Sequence, residues 1–135
     1  MGIKLMKMES PKVFGDSRQL MKILAADMEK EVGLRFRNSK DPQGNSWKPL
    51  SEYTIKRRRK RSNKPLLDTG LLRNSISPRT TETEAMVGTN LDYAKTQQMG
   101  DKKRGIPARE YLGFSGNQIE IYGKIIARYI NKKAR

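Results

Sequence analysis

Leu20, Leu24, Met28, Val32 and Phe36 stand four residues apart, with Met21 and Ala25 beside them. Apolar residues at that spacing share one side of a 3.6-residue turn, so the chain is committed to an amphipathic helix that runs to about Arg37 and must bury its stripe. Asp16 or Ser17 can cap its start, and Gln19 lies where a capping-box partner of Asp16 would. Ile23 and Leu34 fall outside the stripe and form a second apolar patch that a neighbouring subunit can cover. The far end of the chain predicts another long helix. Ser115 and Gln118 make a capping box, and Ile119, Tyr122, Ile125, Ile126, Tyr129 and Ile130 line one face opposite Lys124, Arg128 and Lys132. Ile121 projects into that basic face, where it becomes a candidate subunit contact.

Between these helices the sequence reads as short elements. Gly2 to Met8 alternates loosely and predicts an edge strand. Pro42 and Gly44 set up a tight loop ahead of Trp47, the single tryptophan, which anchors that loop on the core. Ser51 can cap a second helix carrying Tyr53, Ile55 and the basic run. Asp68 or Thr69 can cap a short helix with Leu71, Leu72 and Ile76, which Pro78 ends. Arg79 to Asn90 predicts a β-hairpin turning at TTETE and burying Met86 or Val87. Leu91 to Met99 predicts a helix with Tyr93 and Ala94 inward and Gly100 as its C-cap. Pro107 fixes an extended approach, and Gly113 permits a close bend.

The expected fold class is therefore α+β, with long N- and C-terminal amphipathic helices and short middle helices packed on a small antiparallel sheet. At 135 residues the chain reads as a single domain, 1–135, able to hide roughly two thirds of its unfolded surface. Residues 1–12 are an edge strand or an arm. Residues 56–64 form a basic segment, held by an anion or mobile when free.

Charge and missing residue types narrow the chemistry. The 29 basic and 14 acidic residues leave a net charge of +15 with no histidine, a field that attracts nucleic acid, acidic protein surfaces or anionic lipid without choosing among them. Lys56, Arg57, Arg58, Arg59, Lys60, Arg61 and Lys64 hold the densest part of it, repelling one another by a few tenths of a kcal/mol per near pair on a helix. With no cysteine and no histidine, thiolate and imidazole chemistry and metal ligation by those groups are excluded. No apolar run approaches the roughly 20 residues that span a bilayer. Carboxylates are scattered, and neither a Walker loop nor GxGxxG is present, so the chain reads as neither an enzyme nor a cofactor binder.

Four blocks carry a more specific signal: DPQGNSWKPLSEYT from Asp41, LLDTGLLRNSI from Leu66, VGTNLDYAKTQQMG from Val87 and IPAREYLGFS from Ile106. In order and spacing, over about Asp16 to Asn131, they closely resemble the phage virion morphogenesis family, which contains tail completion proteins of Mu-type contractile-tailed phages. The matching positions are Gly44, Trp47, Pro49, Leu50, Ser51 and Thr54; then Thr69, Gly70, Leu72 and Ser75; then Gly88, Tyr93, Ala94 and Gly100; and last Pro107, Ala108, Arg109, Leu112 and Gly113. Their implied roles are turns, caps and packing. The chain departs from the pattern at Gln97, where many members carry histidine, and at Glu110, where proline is frequent.

The resemblance implies a structural protein of the virion, made in the host cytoplasm, that finishes the tail and joins it to the filled head. It implies a homo-oligomeric ring of about six copies around the DNA channel at the neck, with Ile23, Leu34 and Ile121 as subunit contacts. Expected partners are other neck and tail proteins, such as the tail terminator, connector, sheath or tube, with the genomic DNA in the channel and no membrane. The competing reading is a stand-alone nucleic-acid-binding protein that uses Lys56 to Lys64 as its footprint.

Overall fold

The apolar stripe is buried along one continuous helix, α1 (Arg18–Asn38), in a computed structural model that describes residues 3–9, 17–58, 65–66 and 70–133. Leu20, Met21, Leu24, Ala25, Met28, Val32 and Phe36 all lie in the core, as four-residue spacing requires of a helix packed on one side. Ser17 occupies the N-cap position, although its hydroxyl makes no capping hydrogen bond. Its backbone amide instead donates to the carbonyl of Glu82 at 2.9 Å, and Arg18 pairs with the Glu82 carboxylate at 2.8 Å. Asp16 lies outside the described residues.

Strands β1 (Ile3–Glu9), β2 (Ser77–Thr80) and β3 (Glu84–Thr89) form an antiparallel sheet in the order β1-β3-β2. The hairpin joins β2 to β3 at residues 81–83, where the Thr81 hydroxyl accepts from the amides of Thr83 and Glu84. Along β3, Ala85, Val87 and Thr89 are buried and alternate with half-buried neighbours. Val87 is thus the inward residue and Met86 the outward one. Helix α1 packs across β2 and β3, while β1 takes the edge, with Lys7 bridging Glu9 and Glu84 at 2.9 and 3.1 Å.

The remaining helices are shorter than the sequence suggests. Helix α2 (Glu52–Arg57) starts at the Ser51 cap, whose Oγ accepts from the Thr54 amide at 3.2 Å. It ends at Arg57 rather than running through the basic segment. None of its residues is buried, so burial adds little to hold so short a helix against the repulsion of its basic last turn. Helix α3 (Leu71–Ser75) has Gly70 at its N-cap with φ +79°; Asp68 and Thr69, the expected caps, lie outside the described residues. Helix α4 (Ala94–Met99) begins three residues later than expected. Tyr93 stands at its N-cap and is 43% exposed, so its expected inward place is taken by Ala94 and Gln98.

Helix α5 (Gly116–Lys133) carries the expected capping box: the Gln118 amide donates to Ser115 Oγ at 3.0 Å and the Ser115 amide to Gln118 Oε1 at 2.9 Å. Its inner face is centred on Gln118 and Tyr122, with Ile125, Ile126 and Tyr129 partly buried behind them. Ile119 was expected on that face and is instead 63% exposed. The polar Gln118 has taken the inward position because it has partners there.

Candidate interaction groove

Within the fourth block, Pro107 to Gly113 is the segment on which the first and third blocks converge. Trp47 reaches it from the first block, donating Nε1–H to the Glu110 carbonyl at 2.8 Å and setting its ring edge-on to Phe36. Arg109 answers in the other direction, with Nε and one terminal nitrogen donating to the carbonyls of Lys48 and Pro49 at 2.8 and 3.2 Å. The third block holds the segment through Gln98, whose side-chain oxygen accepts from the amides of Tyr111 and Leu112 while its NH2 donates to the Leu112 carbonyl. Tyr111 closes the circuit by donating its hydroxyl to the Ala94 carbonyl at 2.7 Å. The departure at Glu110 is therefore easy to accommodate, since the contact it makes with Trp47 is through its backbone.

Two glycines permit this crossing. Gly100 has φ +74°, and a Cβ there would lie 2.6 Å from the Ala108 nitrogen and 2.8 Å from the Ile106 oxygen. Gly113 has φ +139° and faces Pro42, whose Cγ would meet an added Cβ at 3.1 Å. At both points the left-handed backbone and the close approach of another segment ask for the same residue.

Behind the segment lies a buried polar chain. The Arg35 guanidinium donates to the carbonyls of Tyr111 and Gly113 at 2.9 and 2.7 Å and to Gln118 Oε1 at 2.6 Å. Gln118 donates onward to the Tyr122 hydroxyl, which donates to Asp27. Burial lowers the pKa of Arg35 and raises that of Tyr122. Arg35, Gln98 and Tyr111 did not stand out in the sequence. The available signal was an arginine set directly beside Phe36 on an apolar stripe, a position where a charge persists only with partners.

In front of the segment is a concave groove of about 820 Å³. Its walls come from Lys48 to Ser51, from Tyr53, Thr54, Arg57 and Arg58 on and just after α2, from Leu66, Gly70 to Leu72 and Tyr93 with Gln97, and from Arg104 to Pro107 with Arg109. The family-motif residues thus divide into three sets. Pro49, Leu50, Ser51, Thr54, Gly70, Leu72, Tyr93, Pro107 and Arg109 line the groove. Trp47, Gly100, Leu112 and Gly113 position its back wall, Gly44 (φ +87°) turns the loop closed by Asp41, and Ser75 bonds Thr89 next to Gly88 on β3. Thr69 lies outside the described residues.

The basic run contributes Arg57 and Arg58 to the groove, and Lys56 lies exposed beside them. Arg59, Lys60, Arg61 and Lys64 lie outside the described residues. The candidate subunit contacts are elsewhere. Ile23 on α1 and Ile121 on α5 are 55% and 44% exposed, whereas Leu34 is half-buried, so the expected apolar patch on α1 is smaller than its sequence suggests. Among the described residues, no group of three or more Asp or Glu side chains is placed to hold a metal ion. No helix among them is long and apolar enough to cross a membrane.

Tyr111 makes one property of this segment measurable. Burial pushes its phenol well above the ordinary value of 10.0, so the folded chain keeps it neutral while the unfolded chain ionises it. Its contribution to stability is full below about pH 10 and is lost as pH rises further. Tyr111→Phe is expected to lower stability at pH 8 by about 1 to 2 kcal/mol through the lost hydrogen bond. It is also expected to fall less steeply above pH 10, by up to about 1.4 kcal/mol per pH unit. Urea melts between pH 8 and 11 test this, and parallel curves for the two proteins would contradict it.

A groove walled by four sequence blocks and stiffened by buried hydrogen bonds to backbone makes the chain an α+β module built around one cross-braced segment. The phage virion morphogenesis family model matches residues 4–131, and the chain belongs to that family, a family of phage tail-related structural proteins. It is 37% identical over 98 residues to the Mu-like prophage FluMu G protein 2 of Haemophilus influenzae, an alignment covering 69% of this chain and 63% of that protein. The chain thus spans somewhat under two thirds of that relative's length. No solved structure matches it.

Proposed function

We propose that this chain is a non-enzymatic structural component that completes the phage tail and joins it to the filled head. It works as a homo-oligomeric ring of about six copies around the DNA channel at the neck, assembled in the host cytoplasm and retained in the virion. The observation that carries the reading is the family match over residues 4–131. Surface chemistry supports it. A closed ring uses two different patches on each copy, and the exposed Ile23 and Ile121 lie on different helices from the basic α2.

In this reading the basic run meets a neighbouring virion protein, such as a terminator, connector, sheath or tube subunit, rather than gripping DNA that must slide past it. Labelling the chain and locating it by electron microscopy of purified particles tests the placement, with density at the neck as the expected result. Reversing charge at Arg57, Arg58 and Arg59 is expected to change stability by less than about 0.5 kcal/mol per site, the range of ordinary surface substitutions. The same variant is expected to give defective particles. Normal infectivity would reduce the run to a solvated face, and tight, saturable duplex binding by the isolated monomer at physiological salt would favour the nucleic-acid-binding reading.

A further inference from the structure

Resting on that reading, we propose that the groove in front of Pro107 to Gly113 receives an extended, acidic segment of a different virion protein, seated by apolar side chains. Tyr53, Leu71 and Tyr93 are 68%, 54% and 43% exposed and all border this one depression. Large apolar side chains gathered in a concavity have a use there that scattered ones do not. Around them stand Lys48, Arg57 and Arg104, and no carboxylate occurs among the described residues that line the groove.

Two of these cations are held in place. Arg57 lies over the Tyr53 ring, 5.2 Å from its centroid, and donates to its hydroxyl at 2.7 Å. Arg104 is steadied by Asp101 at 2.8 Å and reaches the Thr96 hydroxyl. Side chains already ordered lose less freedom when a partner arrives.

Charge and shape select the occupant. A second copy of this chain would bring its own excess of +15 against a basic groove, which like-charge repulsion opposes. Nucleic acid would present successive planar bases for stacking, yet the Tyr53 face already carries Arg57, which leaves Tyr93 as the open ring among the described lining residues, with Leu71 beside it offering bases none. A volume of about 820 Å³ accommodates a few side chains of an extended peptide. Carboxylates on that peptide meet the rim, and its apolar side chains meet Leu71 and Tyr93.

The test places a photocrosslinking benzoyl-phenylalanine at Leu71, or at Tyr53 as a second position, in the full chain during particle assembly. Both side chains are exposed, so folding is preserved. The expected adduct joins this chain to a different virion protein, within a stretch of net negative charge mapped by mass spectrometry. Adding Lys48→Glu and Arg57→Glu should lower its yield about tenfold, the loss of two surface charge pairs and their replacement by repulsion. Reversing the acidic residues of the mapped stretch should restore it. Adducts only with DNA, with other copies of this chain or with a neutral or basic stretch would overturn the proposal, as would no adduct from either position in particles that contain the chain. Particles lacking the chain altogether would overturn the neck reading itself.

Discussion

Trp47→Ala is expected to lower the free energy of unfolding by about 3 to 5 kcal/mol, a large part of what holds a domain of this size together. Trp47 is 6% exposed, packs edge-on against Phe36 at 5.7 Å and donates to the Glu110 carbonyl. Removing it opens a cavity between the first block and α1 and leaves a carbonyl of the back wall without its donor. Trp47→Phe keeps most of the packing and loses the donor, so about 1 to 2 kcal/mol is expected. Chemical denaturation followed by circular dichroism checks both values. An unchanged melting temperature in Trp47→Ala together with lost particle assembly would make Trp47 an interface anchor instead.

The order of these two effects says what the first block is for. Its specificity lies in a tryptophan and turn residues that fasten Lys48 and Pro49 to Arg109, and the basic run that follows is presented by that frame. Charge is the most conspicuous property of the stretch, while packing is what shapes it.

Periodicity made the long elements readable. The stripe of α1 and the capping box of α5 are local signals, each complete within a few residues, and both hold in the structure. The hairpin was readable for the same reason. What the sequence hid were contacts between residues far apart along the chain. Gln98 looks like one polar residue among several in KTQQMG, and only the approach of Tyr111 and Leu112 turns it into a clamp. Ile119 was misplaced because helical spacing treats Gln118 as a surface residue, whereas Arg35 arriving from α1 makes the inward position favourable for it. The groove could not be located at all from local pattern, since its walls come from four separate blocks. The family motifs named about half of its lining without showing that they faced one another.

Arg35→Met provides the second large expected effect, about 3 to 5 kcal/mol lost, because it takes the donor away from three acceptors that stay buried. Tyr111 O and Gly113 O would lose their Arg35 donor, while Gln118 Oε1 would keep only the Ser115 amide. Methionine matches the length of the arginine stem, so the loss reports hydrogen bonding more than volume. Arg35→Lys should recover little of it, since one ammonium cannot span three acceptors as a planar guanidinium does. The two large effects also differ in where they act. Trp47 fastens the start of the back wall, so its loss should raise amide exchange next to Lys48 and next to Glu110 first; Arg35 joins α1, the Tyr111 to Gly113 stretch and the α5 cap, so its loss should raise exchange from Tyr111 to Tyr122. A stability within about 1 kcal/mol of the parent, with exchange unchanged in that stretch, would mean that the apolar contacts of α1 and α5 hold the back wall without the polar chain.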